Sequence, residues 1–158
     1  MNSVLLDTSF FICLLNHQDR LHENARAYYK FFLEEGIEMI ISTISIAEFC
    51  VKGDVTDLPL RTLKVLPFNY NHAQRAGEFA RIIYENRAKH NLDIHPRVLI
   101  PNDSKLFAQA DYENTINAFV TSDERTQSTI ELLKTSAHAQ FTYIDIKVPY
   151  SQTFGKLF

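Results

Sequence analysis

Four carboxylates in this chain of 158 residues occupy comparable places in their local sequence. Asp7 interrupts the otherwise nearly continuous apolar run VLLDTSFFICLLN. Glu48 follows the run IIST within ISTISIAEFCVKGD, Asp103 stands in IPNDSKLFAQA, and Asp123 follows AFVT in AFVTSDERT. Each reads as lying at the carboxyl end of a strand or in the first turn of the helix that follows. In an open parallel sheet that edge is where ligands bind, so acids from four distant segments could converge in one crevice.

Helix starts also favour acids and hydroxyls for local reasons, because these accept orphan amide protons and complement the helix dipole. Ser45 to Glu48 fits a capping box, as does Thr121 to Glu124, with Thr121 bonded to the amide of Glu124. Asp7 is the least well explained by capping, since Thr8 or Ser9 could start that helix without adding charge. If the acids converge, two of them about 4 Å apart repel by about 4 kcal/mol at an effective dielectric near 20. That repulsion is relieved by protonation or by a cation. Oxygen donors without His or Cys suit a hard divalent ion such as Mg²⁺ or Mn²⁺, which also accepts phosphate oxygens.

The elements that must position these acids alternate along the chain. Strand-like Ser3 to Leu6 precedes helical Ser9 to Asn16 and Asp19 to Glu35, with Gly36 where a C-cap glycine belongs. Ile37 to Thr43 is followed by helical Ser45 to Lys52, and Thr62 to Pro67 by helical Asn71 to about His90. Pro96 and Pro101 break the connection 91–102. Helical Asp103 to Glu113, strand Asn117 to Thr121, helical Glu124 to Lys134 and strand Phe141 to Ile146 complete the pattern. Such alternation predicts an α/β/α sandwich with a central, mainly parallel sheet of about five strands. The whole of 1–158 reads as one domain, with 147–158 as a tail open to either packing or partner binding.

Composition narrows the class. With 46% apolar and 22% charged residues the chain is an ordinary globular domain, and one of this length buries roughly 70% of its unfolded surface without needing a disulfide. Cys13 and Cys50 read as reduced core residues, which fits a cytoplasmic location. The first apolar run contains Asp7, lacks preceding Lys or Arg and is shorter than the roughly 20 residues of a membrane span, so neither a signal peptide nor an anchor is expected. A net charge of −3 argues against a surface that is basic throughout, though a local basic patch remains open. No GxSxG, GxxxxGKS or HExxH pattern is present, and the histidines never fall at i, i+4 spacing, which argues against zinc. A dehalogenase-type phosphatase would want Asp where Ser9 stands.

Taken in order and at these separations, VLLDTSFFICLLN, ISTISIAEFCVKGD, IPNDSKLFAQA and AFVTSDERT resemble the PIN domain family, over the span from the N-terminus to about Ile146. The resemblance is to its VapC-like metal-dependent ribonucleases, many of which are the toxin halves of toxin-antitoxin pairs. It implies an endoribonuclease with RNA as substrate, an antitoxin and a second copy of the chain as partners, and no membrane. Carried over residue by residue, Asp7, Glu48, Asp103 and Asp123 match the acidic quartet that holds one or two Mg²⁺ or Mn²⁺ ions, with Asp7 and Asp103 as principal ligands. Thr8, Ser9 and Thr121 would orient carboxylates or contact phosphate.

Departures from the pattern leave a second function open. Many relatives carry a further Asp two residues after the last acid, whereas Asp123 is followed by Glu124, Arg125 and Thr126. A catalytically impaired RNA-binding or protein-interaction module is therefore the alternative. Leu21, Ala25, Tyr28 and Phe32 form a core-facing stripe at helical spacing, which leaves Tyr29 and Phe31 off that face as candidate dimer or antitoxin contacts. Arg81, Arg87, Lys89, Arg97 and Lys105 could line an RNA groove or simply be a solvated face.

Overall fold

A computed structural model describes residues 1–88 and 102–155, with side chains left out at 87 and 88. The expected connection 91–102 therefore lies outside the described residues except for Asn102, as do the side chains of Arg87, Lys89 and Arg97.

Five parallel strands make one sheet in the order β3-β2-β1-β4-β5: β1 (Ser3–Leu6), β2 (Glu38–Ser42), β3 (Leu63–Leu66), β4 (Ile116–Thr121) and β5 (Thr142–Asp145). The chain builds outward from β1 to β3, then returns to place β4 on the free side of β1. The order thus reverses at the β1–β4 boundary, the point where a doubly wound sheet opens a crevice at its carboxyl edge. Pairing across that boundary runs Leu5 to Phe119 and Leu6 to Val120, and the Asp7 amide extends it by donating to the Val120 carbonyl at 2.9 Å.

The central strands β1, β2 and β4 are short and mostly apolar because both faces are covered. Val4 and Leu6 point to one side and Leu5 to the other, as the two-residue period of a strand requires. On the first face, α1 (Thr8–Leu15) and α2 (His22–Glu34) bury Phe10, Phe11, Tyr28 and Phe32 against β1, β2 and β4. On the second, α4 (Tyr70–Ala88), α5 (Asn102–Tyr112) and α6 (Arg125–Ala137) contribute Phe79, Phe107 and Leu133 against Leu5, Ile40 and Phe119. The short α3 (Thr43–Phe49) follows β2 directly. At the end of α2, Gly36 adopts φ 65°, its amide reaching the Leu33 carbonyl and that of Ile37 the Phe32 carbonyl. This is the paired-bond helix ending that calls for a residue without Cβ.

Two sequence expectations change here. Phe31 is not an exposed contact residue but only 7% exposed, because α7 (Tyr150–Thr153) and the residue after it fold back onto α2. The Phe154 ring stacks on that of Phe31 with centroids 4.6 Å apart, and Tyr150 lies 5.3 Å away. Tyr28 donates its hydroxyl to the Val148 carbonyl at 2.7 Å, and Asn24 holds the Ile146 carbonyl, so the tail is anchored by polar bonds as well as by rings. Tyr29 is half-buried and its hydroxyl meets Thr62. Of the two cysteines, both free, Cys13 is buried as expected whereas Cys50 is exposed, because it caps α3 instead of lying inside it.

The tail's packing predicts that Phe31→Ala lowers stability by about 3 kcal/mol, in the range for a buried aromatic cut back to methyl. Urea unfolding measures this. A loss below about 1 kcal/mol would mean that the tail does not cover Phe31 in solution.

Candidate active site

The Asp7 carboxylate is fixed from three directions at the switch point. It is the N-cap of α1, its Oδ1 accepting the Thr8 amide at 2.8 Å. Its Oδ2 accepts the Ser9 hydroxyl at 2.6 Å and, from the end of β4, the Thr121 hydroxyl at 2.9 Å. Asp7 is buried, 8% exposed, and burial raises its pKa against the pull of those bonds, with the Glu48 charge adding to the rise. Capping and the proposed chemistry are therefore not rival explanations of this residue, since the cap bonds aim the carboxylate.

Glu48 reaches the crevice by a different route from the one its sequence suggests. The capping box Ser45 to Glu48 is not formed. Ser42 caps α3 instead, its hydroxyl accepting the Ile44 amide at 3.0 Å, so the helix starts earlier and Glu48 falls in a later turn. From there its carboxylate accepts the Thr8 hydroxyl through one oxygen and the Asn102 side-chain amide through the other. Lys105 donates to Asn102 Oδ1 at 3.3 Å, which turns the amide nitrogen of Asn102 toward Glu48.

Asp103, in the first turn of α5, is where the four charges are felt most strongly. Its carboxyl is pushed up to about 6, first by desolvation and then by repulsion from Asp7, Asp123 and Glu48. Asp103 thus feels the charges of all three other acids, although they come from distant segments.

Asp123 behaves differently. The box from Thr121 to Glu124 is also absent: Thr121 accepts the Asp123 amide at 3.1 Å, and Asp123 itself accepts the Arg125 amide at 2.9 Å, while Glu124 caps α6 without a side-chain bond. Arg125 also grips the Asp123 carboxylate with its guanidinium, Nε to Oδ1 at 3.3 Å and Nη2 to Oδ2 at 3.2 Å. Burial alone would raise the Asp123 carboxyl, but the bonds and charge of Arg125, helped by Lys147, hold it below its usual range. Ser9 completes the floor by accepting the Ser122 amide at 3.1 Å.

Asn102 and Arg125 are the participants that local sequence signals did not single out. Asn102 looks like an ordinary helix start beside Pro101, and its partner Glu48 is far away in the chain. Arg125 could have been found from the charge reversal two residues after Asp123. Of the basic residues considered for a groove, Arg81 is exposed and Lys105 is tied to Asn102.

An all-oxygen set crowded enough to resist ionisation at Asp7 and Asp103 has the chemistry of a hard-cation site. As the side chains stand, no three His, Cys, Asp or Glu among the described residues are close enough together to hold an ion. Glu48 and Asp123 are instead drawn toward Thr8, Asn102 and Arg125.

A parallel α/β sheet with an acidic crevice at its switch point defines the general class, and the family can be stated outright. The family model for the PIN domain matches residues 4–132, so the chain belongs to the PIN domain family. No curated protein matches the sequence. Among solved structures, similar folds occur in VapBC2 from Rickettsia felis bound to a DNA fragment from its promoter, with TM-score 0.59 and 17% identity over 90% of this chain and 98% of that one. DNA-bound VapBC from Salmonella typhimurium gives TM-score 0.57 at 18% identity, covering 92% and 99%. The Mycobacterium tuberculosis toxin VapC20, which cleaves the sarcin-ricin loop, gives 0.51 at 17%, covering 79% and 93%. At these identities the likeness is one of fold.

The raised Asp103 carboxyl sets the sign of a pH effect. Below the ordinary value of 3.8 the group is protonated in both folded and unfolded chains; as pH rises toward about 6 the unfolded chain ionises first. Above that the fold bears the full cost of the charge, so this group makes stability fall between pH 4 and 6. Without divalent ions, Asp103→Asn is expected to melt higher than the unsubstituted protein at pH 7.5, with the gap closing near pH 4. Equal or lower melting at pH 7.5 would contradict the crowding of the carboxylates.

Proposed function

We propose that the chain is a metal-dependent endoribonuclease hydrolysing RNA phosphodiester bonds, the toxin of a toxin-antitoxin pair. The observation that carries this reading is the repulsion of Asp103 by Asp7, Asp123 and Glu48, and of the buried Asp7 by Glu48, at the switch point of a PIN-domain sheet. Asp7 and Asp103 are the proposed principal ligands of Mg²⁺ or Mn²⁺, with Glu48 and Asp123 completing the acidic set. A divalent ion bound there would supply Lewis-acid stabilisation of the phosphate and activation of a water nucleophile.

The chain's own groups divide the remaining work. Ser9 and Thr121 keep the Asp7 carboxylate from rotating, and Thr8 with Asn102 does the same for Glu48. Fixed acceptors of this kind would hold a cation without reorganising at the moment of reaction. With Asp7 and Asp103 ionised, their oxygens are also candidates to accept the proton of the attacking water.

The names of the structural neighbours, two of which are toxin–antitoxin complexes on DNA and one a toxin that cleaves an RNA loop, support an antitoxin partner and an RNA substrate. An apolar cleft of about 860 Å³ between α1 and α3 supports a protein partner as well. Ile12, Leu15, Phe49 and Val51 line it, Glu48 stands on its wall, and Ile12 and Val51 are exposed. Among the described residues no helix is long and apolar enough to cross a membrane.

Purified protein is expected to cleave RNA with Mg²⁺ or Mn²⁺ and to stop in chelator. Asp7→Asn should reduce cleavage at least about a hundredfold while circular dichroism stays unchanged. Cleavage that persists in chelator, or that survives the substitution, would overturn the metal-dependent reading. RNA binding without cleavage would favour the alternative of an impaired binding module, for which the pairing of Asp123 with Arg125 is the motivating observation.

A further inference from the structure

Lys105 carries a charge that none of the described carboxylates neutralises. Arg125 pairs with Asp123 and Lys147 with Glu124, whereas the Lys105 ammonium makes its described bond to a neutral acceptor, Asn102 Oδ1 at 3.3 Å. That side chain lines a cleft of about 400 Å³ between α3 and α5, separate from the apolar cleft beside α1. Glu48 stands on the wall of both, so the α3–α5 cleft ends at a carboxylate of the candidate active site. Thr43 lines it from α3. Its hydroxyl accepts the Phe68 amide at 3.2 Å and gives its own proton to no acceptor among the described residues. The rest of the lining is largely apolar, from Ile44, Ala47 and Val51, and Val51 is 78% exposed.

A cation and a hydroxyl donor beside apolar side chains suit a nucleic-acid strand, whose phosphate oxygens take the donors while its sugars and bases meet the apolar surface. The acids around Asp103 repel such a strand, and a cation next to its approach offsets part of that repulsion. We propose that the α3–α5 cleft is the track by which single-stranded RNA reaches the carboxylates, with Lys105 holding a backbone phosphate other than the one that reacts and Thr43 donating to the same strand. The proposal rests on the nuclease reading above for RNA as the ligand. Lys105 also helps to aim Glu48 through Asn102. Lys105→Gln separates the two roles, because a Gln amide still donates to Asn102 but carries no charge.

Fluorescence anisotropy with a labelled uridine oligomer of about ten nucleotides, in chelator so that nothing is cleaved, reads the charge by itself. Lys105→Gln should weaken binding about fivefold at low salt, the size of one ion pair at about 4 Å in water-like surroundings. It should also lower the slope of log affinity against log salt by about 0.7. Lys105→Arg should keep both. Arg26→Gln, an exposed position on α2, removes the same charge elsewhere and should change neither. With Mg²⁺ present, the loss in Lys105→Gln should fall on KM with kcat kept. A fall in kcat alone would mean that Lys105 serves only to aim Glu48, and would overturn the proposal. Unchanged affinity in Lys105→Gln, or an equal loss in Arg26→Gln, would overturn it too while leaving the nuclease reading in place. If no variant binds the oligomer and none cleaves RNA, the nuclease reading itself falls, and this proposal with it.

Discussion

Repulsion among carboxylates at the β1–β4 boundary is the constraint around which the rest of the crevice is arranged. Asp7 is buried and Asp103 is pushed up to about 6, so the fold carries an electrostatic load that must be offset elsewhere. Each neighbouring group makes sense as a response to it. Thr8, Ser9 and Thr121 donate hydroxyl protons to carboxylates, Asn102 donates an amide proton, and Arg125 supplies a full charge. Neutral donors hold Asp7 and Glu48, while the exposed Arg125 holds the partly exposed Asp123. A charge at the rim stays hydrated and costs little, whereas a buried ion pair pays for desolvation on both sides.

The sheet order makes this concentration of charge possible. Because β4 returns to pair with β1, the two central strands end side by side. The apolar residues that hold the strands together stop at Leu6 and Val120, and the next side chains are Asp7 and Thr121, already in hydrogen-bond contact. Packing of Phe10 and Phe11 on one face and Phe107 and Phe119 on the other fixes the two strand ends to a common register. Core packing and site geometry are thus consecutive stretches of the same strands.

Most of the sheet was legible because its strands are apolar runs closed by helix-starting residues, a signal carried within a few neighbours. Ser3–Leu6 and the glycine ending of α2 are of this kind. Glu48 lies in a later turn of α3 than its sequence suggests. Ser42, Thr43 and Ser45 can all start a helix, and only the contact of α3 with α1 and α5 selects among them. The same limit explains the missed covering of Phe31. Helical periodicity puts that residue off the main stripe, and nothing near it in the chain announces that Tyr150 and Phe154 come back to bury it. Asn102 escaped notice because its importance lies wholly in a partner from a distant segment.

Asp7 shows why a local and a functional explanation of one residue need not compete. A carboxylate has about four lone-pair directions, of which the Thr8 amide and the Ser9 and Thr121 hydroxyls engage three. What is left is a direction fixed by the cap itself. An unattached Asp at a strand end would sample several rotamers and would have to be ordered whenever a cation or phosphate arrived. Here the ordering cost is met in folding, by the same bonds that start α1 and join β4 to it. Thr8 or Ser9 could have capped the helix without charge, so capping alone does not account for the buried carboxylate that Asp7 keeps there, within reach of the Glu48 charge.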